Sequence, residues 1–275
     1  GGISYDVIIP SDYMINKLIN EDMLNKIDFN NIPNYKYISE DFKGLNYDPK
    51  DEYSVPYTWG TVGILYNTTV GDGIGGSWDI LWNEKYKKQI IMQDSQRETI
   101  GVALQKLGYS LNTDNVDELQ EAKEALIEQK PLVLAYVVDE VKDKMINEEA
   151  ALAVVWAGDA MQIIAENPDL AYTVPKEGSN FFVDALAIPK SAKHQKEAEL
   201  FIDYLNRPEV AAKNIEYIMY STPNTEALKL IPEEDANNPV AYPTSEVLAT
   251  CDIYIDLGDK ITLYDRIWTE IKAAK

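Results

Sequence analysis

The sequence predicts an α/β protein built as two lobes, and three observations carry that reading. From Ile90 to Val174, short apolar strands alternate with amphipathic helices, the rhythm of a mostly parallel sheet flanked by helices on both faces. Two strand-like stretches, Val55–Asn67 and Phe181–Pro189, are interrupted by residues out of place in an ordinary core strand: Gly60 and Gly63 in the first, Asp184 in the second. Both read as segments that cross between lobes. Finally, 275 residues with 45% hydrophobic content hold a sizeable core, and the length suits one or two domains of about 100–200 residues each. Residues 1–60 with 184–230 are expected to form lobe 1, and 61–183 with 231–275 lobe 2, with crossovers near Gly60 and Val183.

In chain order, Tyr5–Ile9 is a continuous apolar run, the kind buried on both faces of a parallel sheet, and Pro10 stops it. Ser11-Asp12 can cap the helix that follows, whose Met14, Ile15 and Leu18 keep helical spacing. Residues 26–54 are polar and turn-rich and read as surface connection. Gly71 to Gly76 form a glycine-rich loop that lacks the lysine and the strand–loop–helix context of a phosphate cradle. Ser77 caps a helix carrying Trp78 and Trp82, four apart and therefore on one side, as core residues.

The alternation then becomes regular. Ile90–Met92, Leu132–Tyr136, Ala151–Trp156 and Leu170–Val174 read as strands, and Thr99–Leu107, Asn115–Gln129, Asp139–Asn147 and Gly158–Glu166 as helices. Gly108 suits the position just past a helix end. After Phe181–Pro189, helices are expected over Glu197–Asn206 and Val210–Ile218, then a loop at Tyr220–Asn224 and an acid- and proline-rich surface stretch. The last helix, Ile261–Ala274, puts Leu263, Tyr264, Ile267, Trp268 and Ile271 on one face.

Composition excludes several functions. With 25 basic against 46 acidic residues the formal charge is −21, a field that repels nucleic acid and anionic lipid and attracts cations; acidity of this kind also serves solubility alone. The lone cysteine, Cys251, rules out an intramolecular disulfide. The single histidine, His194, lies in a polar run that reads as a solvated helix start, which argues against a histidine metal site or a Ser-His-Asp triad. No signal peptide, lipobox cysteine or membrane-spanning run is present. The chain opens at Gly1-Gly2 and enters a strand at once, so any export signal is expected outside it.

Five positions stand out on local grounds. Ser11 and Tyr13 follow the carboxyl end of a strand, where open α/β sheets bind ligands; a helix cap and a packing tyrosine also account for them. Trp59 stands beside a glycine in the first crossover and is read into a cleft, against the alternative of a buried core tryptophan. Trp156, at the carboxyl end of its strand and followed by Ala157-Gly158, is less easily read as core. Asp184 is the most conspicuous carboxylate, since burying one is costly without a cation or donors to pair it; a structural salt bridge is the other reading. Asp94 and Glu98 form a carboxylate pair that suits acid–base chemistry, but no nucleophile–base motif accompanies them. Tryptophan and tyrosine also stack on sugars, so a glycan-binding surface is a further class.

Taken in order, six segments resemble the spermidine/putrescine-binding proteins of ABC importers, along essentially the whole chain. They are Tyr5-Asp6-Val7-Ile8-Ile9-Pro10-Ser11, Val55-Pro56-Tyr57-Thr58-Trp59-Gly60, Leu107-Gly108-Tyr109-Ser110, Pro175-Lys176-Glu177-Gly178, Asp184-Ala185-Leu186-Ala187-Ile188-Pro189 and Ser221-Thr222-Pro223-Asn224. The resemblance implies a two-lobed periplasmic-binding-protein fold, each lobe a mixed, mostly parallel sheet with flanking helices. It implies a polyamine held between lobes by aromatic walls and carboxylates, a membrane permease as partner, a location outside the cytoplasm, no enzymatic activity and no cofactor. The alternative within this class is a two-lobed binder of another small cationic or sugar solute. Carried across position by position, Ser11 and Tyr13 match site residues after the first strand, Glu98 a carboxylate, Trp156 an aromatic wall, Asp184 the principal carboxylate and Tyr220 a later aromatic contact. Trp59, Phe182 and Tyr254 complete the candidate set. Ser95 stands where the family has an aspartate, Phe182 where it has a tryptophan, and Val138 near a serine, which leaves spermidine against putrescine open. The family also begins with a strand, helix, strand and helix that have no match here. Lobe 1 is therefore expected to lack its N-terminal strands, and the open edge at Tyr5–Ile9 either to destabilise that lobe or to be completed by association or swapping with another chain.

Overall fold

The structure, a computed structural model, describes residues 5–70 and 75–274. The glycine-rich loop expected at Gly71–Gly76 lies outside the described residues as far as position 74. The chain divides into two units: residues up to Gly60 with Phe182–Tyr242 and Ile253–Asp256, and Thr61–Phe181 with Pro243–Asp252 and Leu257–Lys275. The second boundary falls at Phe181–Phe182, and residues 231–242, expected in lobe 2, lie in unit 1. Packing explains this placement: Ile231 and Tyr242 join Ala211, Ala212 and Ala227 in one apolar cluster, and the Ser221 hydroxyl donates to the Ala241 carbonyl.

Unit 1 holds α1 (Asp12–Asn20) and the first part of β1 (Ser54–Asn67). The connection between them carries only three short 3₁₀ turns, as its polar, turn-rich sequence suggests. In unit 2, β2 (Ile90–Gln93), α2 (Gln96–Lys106), α3 (Val116–Gln129), β3 (Val133–Val137), α4 (Val141–Ile146), β4 (Leu152–Trp156), α5 (Ala157–Glu166) and β5 (Leu170–Thr173) follow in alternation. Next, β6 (Phe181–Ala187) leads into unit 1, with α6 (Gln195–Leu205), α7 (Pro208–Ile218) and the one-turn α8 (Glu233–Ala236). The short α9 (Ser245–Leu248) and α10 (Ile261–Ala273) complete unit 2. Among the described residues no helix is long and apolar enough to cross a membrane.

The sheet runs β3-β2-β4-β1-β5, and β6 also pairs with β1. It is mixed: β2 lies parallel to β3 and β4, whereas β1 is antiparallel to β4 and β5. Only strands joined by helical crossovers are obliged to run parallel. β1 enters unit 2 directly from unit 1 and so escapes that rule. Gly63 on β1 marks a close approach of chains. A Cβ there would lie 2.4 Å from the Thr173 carbonyl oxygen and 2.5 Å from the Tyr172 ring.

Local signals explain most elements. The Asn115 side chain caps α3 by accepting from the Asp117 N–H, and Leu119, Ala122 and Leu126 turn one face into the core. α2 ends where Gly108, at φ +80°, lets its N–H reach the Gln105 carbonyl and that of Tyr109 the Leu104 carbonyl, the paired bonds of a left-handed helix stop. Trp78 and Trp82 sit in a 3₁₀ turn, not an α-helix, yet both are core anchors. Trp78 is fully buried with its indole N–H on the Gly178 carbonyl, and that of Trp82 bonds the Ala125 carbonyl.

The reading of Tyr5–Ile9 as a strand buried on both faces needs correction. Tyr5 is 58% and Ile9 46% exposed, and the segment pairs with β6 only through isolated antiparallel bridges, Ile8 to Ala187 and Ser11 to Asp184. A continuous apolar run reports hydrophobicity, not which faces are covered.

Candidate ligand-binding site

In unit 1 the candidate residues gather around β6. Successive side chains of a strand alternate between faces, so Phe182 and Asp184 share one. The antiparallel bridge between Ser11 and Asp184 brings the start of α1 beside them. The Ser11 hydroxyl donates to Asp184 Oδ1 at 3.0 Å and makes no capping bond, although Ser11 occupies the N-cap position of α1. Thr58 on β1 donates its hydroxyl to Asp184 Oδ2 at 3.4 Å. Asp12, itself 1% exposed, fastens the junction, with one carboxylate oxygen accepting from its neighbour's N–H at Tyr13 and the other from the Val183 N–H at 3.0 Å.

Two hydroxyl groups are thus the hydrogen-bond partners of Asp184, and no lysine, arginine or histidine pairs with it among the described residues. The salt-bridge reading of Asp184 does not apply. Burial raises its pKa above the ordinary carboxylate value, and the bonds from Ser11 and Thr58 offset part of the rise. A partly desolvated carboxylate held by neutral donors alone retains a demand for positive charge.

Aromatic pairs accompany it in unit 1. Tyr13 meets Tyr254 edge to face at 6.5 Å, and Phe182 meets Tyr220 at 6.2 Å with the rings 63° apart. Trp59 behaves differently. It is 5% exposed and packs against Phe42 at 5.2 Å and Tyr242 at 5.8 Å. Thr58 points toward Asp184, so the alternation of β1 sends the next side chain to the opposite face. For Trp59 the core alternative describes the observed packing.

Unit 2 places the other two candidates. Glu98, in the first turn of α2 and 8% exposed, accepts a hydrogen bond at Oε1 from Asn180 Nδ2 at 3.0 Å. Trp156, half-buried at the carboxyl end of β4, forms the N-cap position of α5 and packs on the apolar cluster beneath the sheet. Asp94 and Glu98 have different surroundings. Asp94 is exposed and bound to the Lys272 ammonium at 2.9 Å, which itself lies 5.0 Å over the Trp268 ring. Among the described residues no group of three or more His, Cys, Asp or Glu could hold a metal ion.

Sequence reasoning missed Thr58, Asp12 and Asn180. Thr58 was within reach: once Trp59 is assigned to one face of β1, its neighbour belongs to the other. Asp12 and Asn180 act through contacts distant in sequence, with Val183 and Glu98, which no local pattern announces.

A two-unit α/β fold, with Asp184 partly buried beside aromatic pairs on β6 and Glu98 buried at the start of α2, is the architecture of a solute-binding protein. The chain belongs to the bacterial extracellular solute-binding protein family, whose model matches residues 3–246. It is 35% identical over 273 residues to the spermidine/putrescine-binding periplasmic protein of Salmonella typhimurium, covering 99% of this chain and 78% of that protein. Among solved structures it resembles a Listeria monocytogenes protein described as a spermidine/putrescine ABC transporter, with TM-score 0.95 and 39% identity over 100% of this chain and 86% of that one. It also resembles the spermidine/putrescine ABC transporter substrate-binding protein PotD of Streptococcus pneumoniae, with TM-score 0.89 and 39% identity over 98% and 84% of the two chains.

Proposed function

We propose that this chain captures a polyamine, spermidine or putrescine, outside the cytoplasm and hands it to the membrane permease of an ABC importer. The observation that carries the reading is Asp184: a partly buried carboxylate, pKa raised, bonded to two hydroxyls and paired with no protein cation among the described residues. An ammonium group supplies the missing charge and makes charge-assisted hydrogen bonds. Aromatic faces favour the same ligand twice over, by attracting its ammonium ends and by covering its methylenes, and a desolvated cation–π contact contributes about 2 kcal/mol. In the pairs Tyr13–Tyr254 and Phe182–Tyr220, the half-buried Tyr13 and Tyr220 are assigned this work, with the buried Tyr254 and Phe182 packed against them. The formal charge of −21 adds long-range attraction for a polycation.

Isothermal titration of the protein with putrescine, spermidine and a neutral hexose tests the reading. The expected result is saturable binding of at least one polyamine that weakens with salt and with acid. Binding of the sugar without either polyamine, or of none of the three, overturns it.

A further inference from the structure

Asn180 is 3% exposed, and its amide is only half engaged. Nδ2 donates to Glu98 Oε1 at 3.0 Å, while Oδ1 is buried without a hydrogen-bond partner among the described residues. The amide cannot be reversed to relieve this, because Oδ1 would then face a carboxylate oxygen. The Asn180 backbone is fixed as well: its carbonyl accepts from the Val62 N–H at 3.0 Å, and it forms a parallel bridge with Asp252. The result is a buried acceptor held in place beside a buried carboxylate. A buried amide oxygen is unfavourable unless a donor reaches it.

We propose that Asn180 is a specificity-determining residue for amine recognition in unit 2: its Nδ2 aims the Glu98 carboxylate, and its Oδ1 takes a second N–H of the same ammonium group. A primary ammonium carries three N–H donors and no acceptor, so it satisfies a carboxylate and an amide oxygen at once. A hydroxyl has one donor and brings lone pairs of its own into the cluster. This inference rests on the polyamine reading above and names a contact within it.

The test is a double-mutant cycle read by putrescine titration, extended to millimolar ligand so that weak binding is measured. Asn180→Leu is close in shape and lacks both polar arms, and Glu98→Gln keeps the shape and removes the charge. Because the two residues serve one ammonium, Asn180→Leu should raise Kd at least tenfold in the wild-type background and clearly less in the Glu98→Gln background. A merely structural role would cost the same factor in both, and that equality, or a Kd within twofold of wild type, overturns the proposal. Thermal unfolding of each variant reports folding, and Asn180→Ser replaces Asn180→Leu in the cycle if the latter does not fold. Failure of the wild-type protein to bind any polyamine is a separate outcome. It would overturn the polyamine reading itself, and this inference with it.

Discussion

Replacing Asp184 by asparagine separates what the carboxylate does for the fold from what it does for a ligand, because the two effects have opposite signs. In the ligand-free protein, burial holds the Asp184 pKa above its ordinary value. The native state therefore keeps a proton that the unfolded chain, with a pKa of about 3.9, releases first. Between the two pKa values stability falls as pH rises, and above the folded value the full penalty of the ionised, desolvated group is present. Asparagine has the same shape and no charge, and its amide can still bond the Ser11 and Thr58 hydroxyls, which donate or accept. At pH 7, Asp184→Asn should therefore leave the Tm of the ligand-free protein unchanged or raise it. Binding moves the other way. Truncating one partner of a desolvated charge pair costs about 2–5 kcal/mol, roughly a 30- to 4000-fold rise in Kd at about 1.4 kcal/mol per tenfold. Asp117→Asn, at an exposed position in the first turn of α3, is the control, since a surface charge contributes about 0–1 kcal/mol. Calorimetric titration with putrescine and spermidine, together with ligand-free scanning calorimetry, reads both effects. A variant with a Tm several degrees lower and polyamine affinity like that of the control would show that Asp184 serves the fold alone.

Thr58→Val removes the donor to Asp184 Oδ2; it should raise the Asp184 pKa further and weaken polyamine binding by about 0.5–1.5 kcal/mol, with the acid limb of a Kd–pH profile displaced to higher pH. An unmoved limb would detach Thr58 from the site. Gly63→Ala forces a Cβ against the Thr173 carbonyl and the Tyr172 ring, and overpacking of this kind costs about 1–3 kcal/mol; the expected readout is a Tm lower by several degrees, and an unchanged Tm would contradict the close approach. His194 has its pKa raised by its bond to Asp6. The proton resonances of this sole histidine should titrate with a midpoint above 6.5, the contact being complete at low pH and lost as pH rises through that midpoint. Asp6→Asn should return the midpoint toward the ordinary value, and a midpoint insensitive to Asp6→Asn would remove the pair.

The parts of this fold legible in sequence were those fixed by nearby residues. Asn115 before α3, Gly108 after α2 and the apolar rhythm of β2 to β5 each act within a turn or two, so local pattern and structure agree. Asp184 was legible for a different reason: a carboxylate in an apolar strand contradicts its surroundings, and contradictions of this kind gather at functional sites. What was not legible depends on which element lies across a gap. Tyr5–Ile9 reads as doubly buried because apolar runs usually are, yet its coverage depends on neighbours that no residue within it names. Residues 231–242 belong to the acid- and proline-rich stretch, with no local feature to say which unit they join. Their place is decided by Ile231 and Tyr242 finding the small alanines of α7. Thr58 and Asn180 are ordinary residues made notable only by partners 126 and 82 positions away.

The burial of Trp59 has an experimental consequence. The chain has five tryptophans, and Trp78, Trp82, Trp156 and Trp268 all belong to unit 2, so Trp59 is the single indole of unit 1. Uniform incorporation of 5-fluorotryptophan would yield one fluorine resonance for the first unit and four for the second, each assignable by a single substitution to phenylalanine. Following those signals through a denaturant series would show whether the two units melt together or in turn. The same spectra recorded with ligand would report on each unit separately, from a nucleus that the polyamine itself lacks.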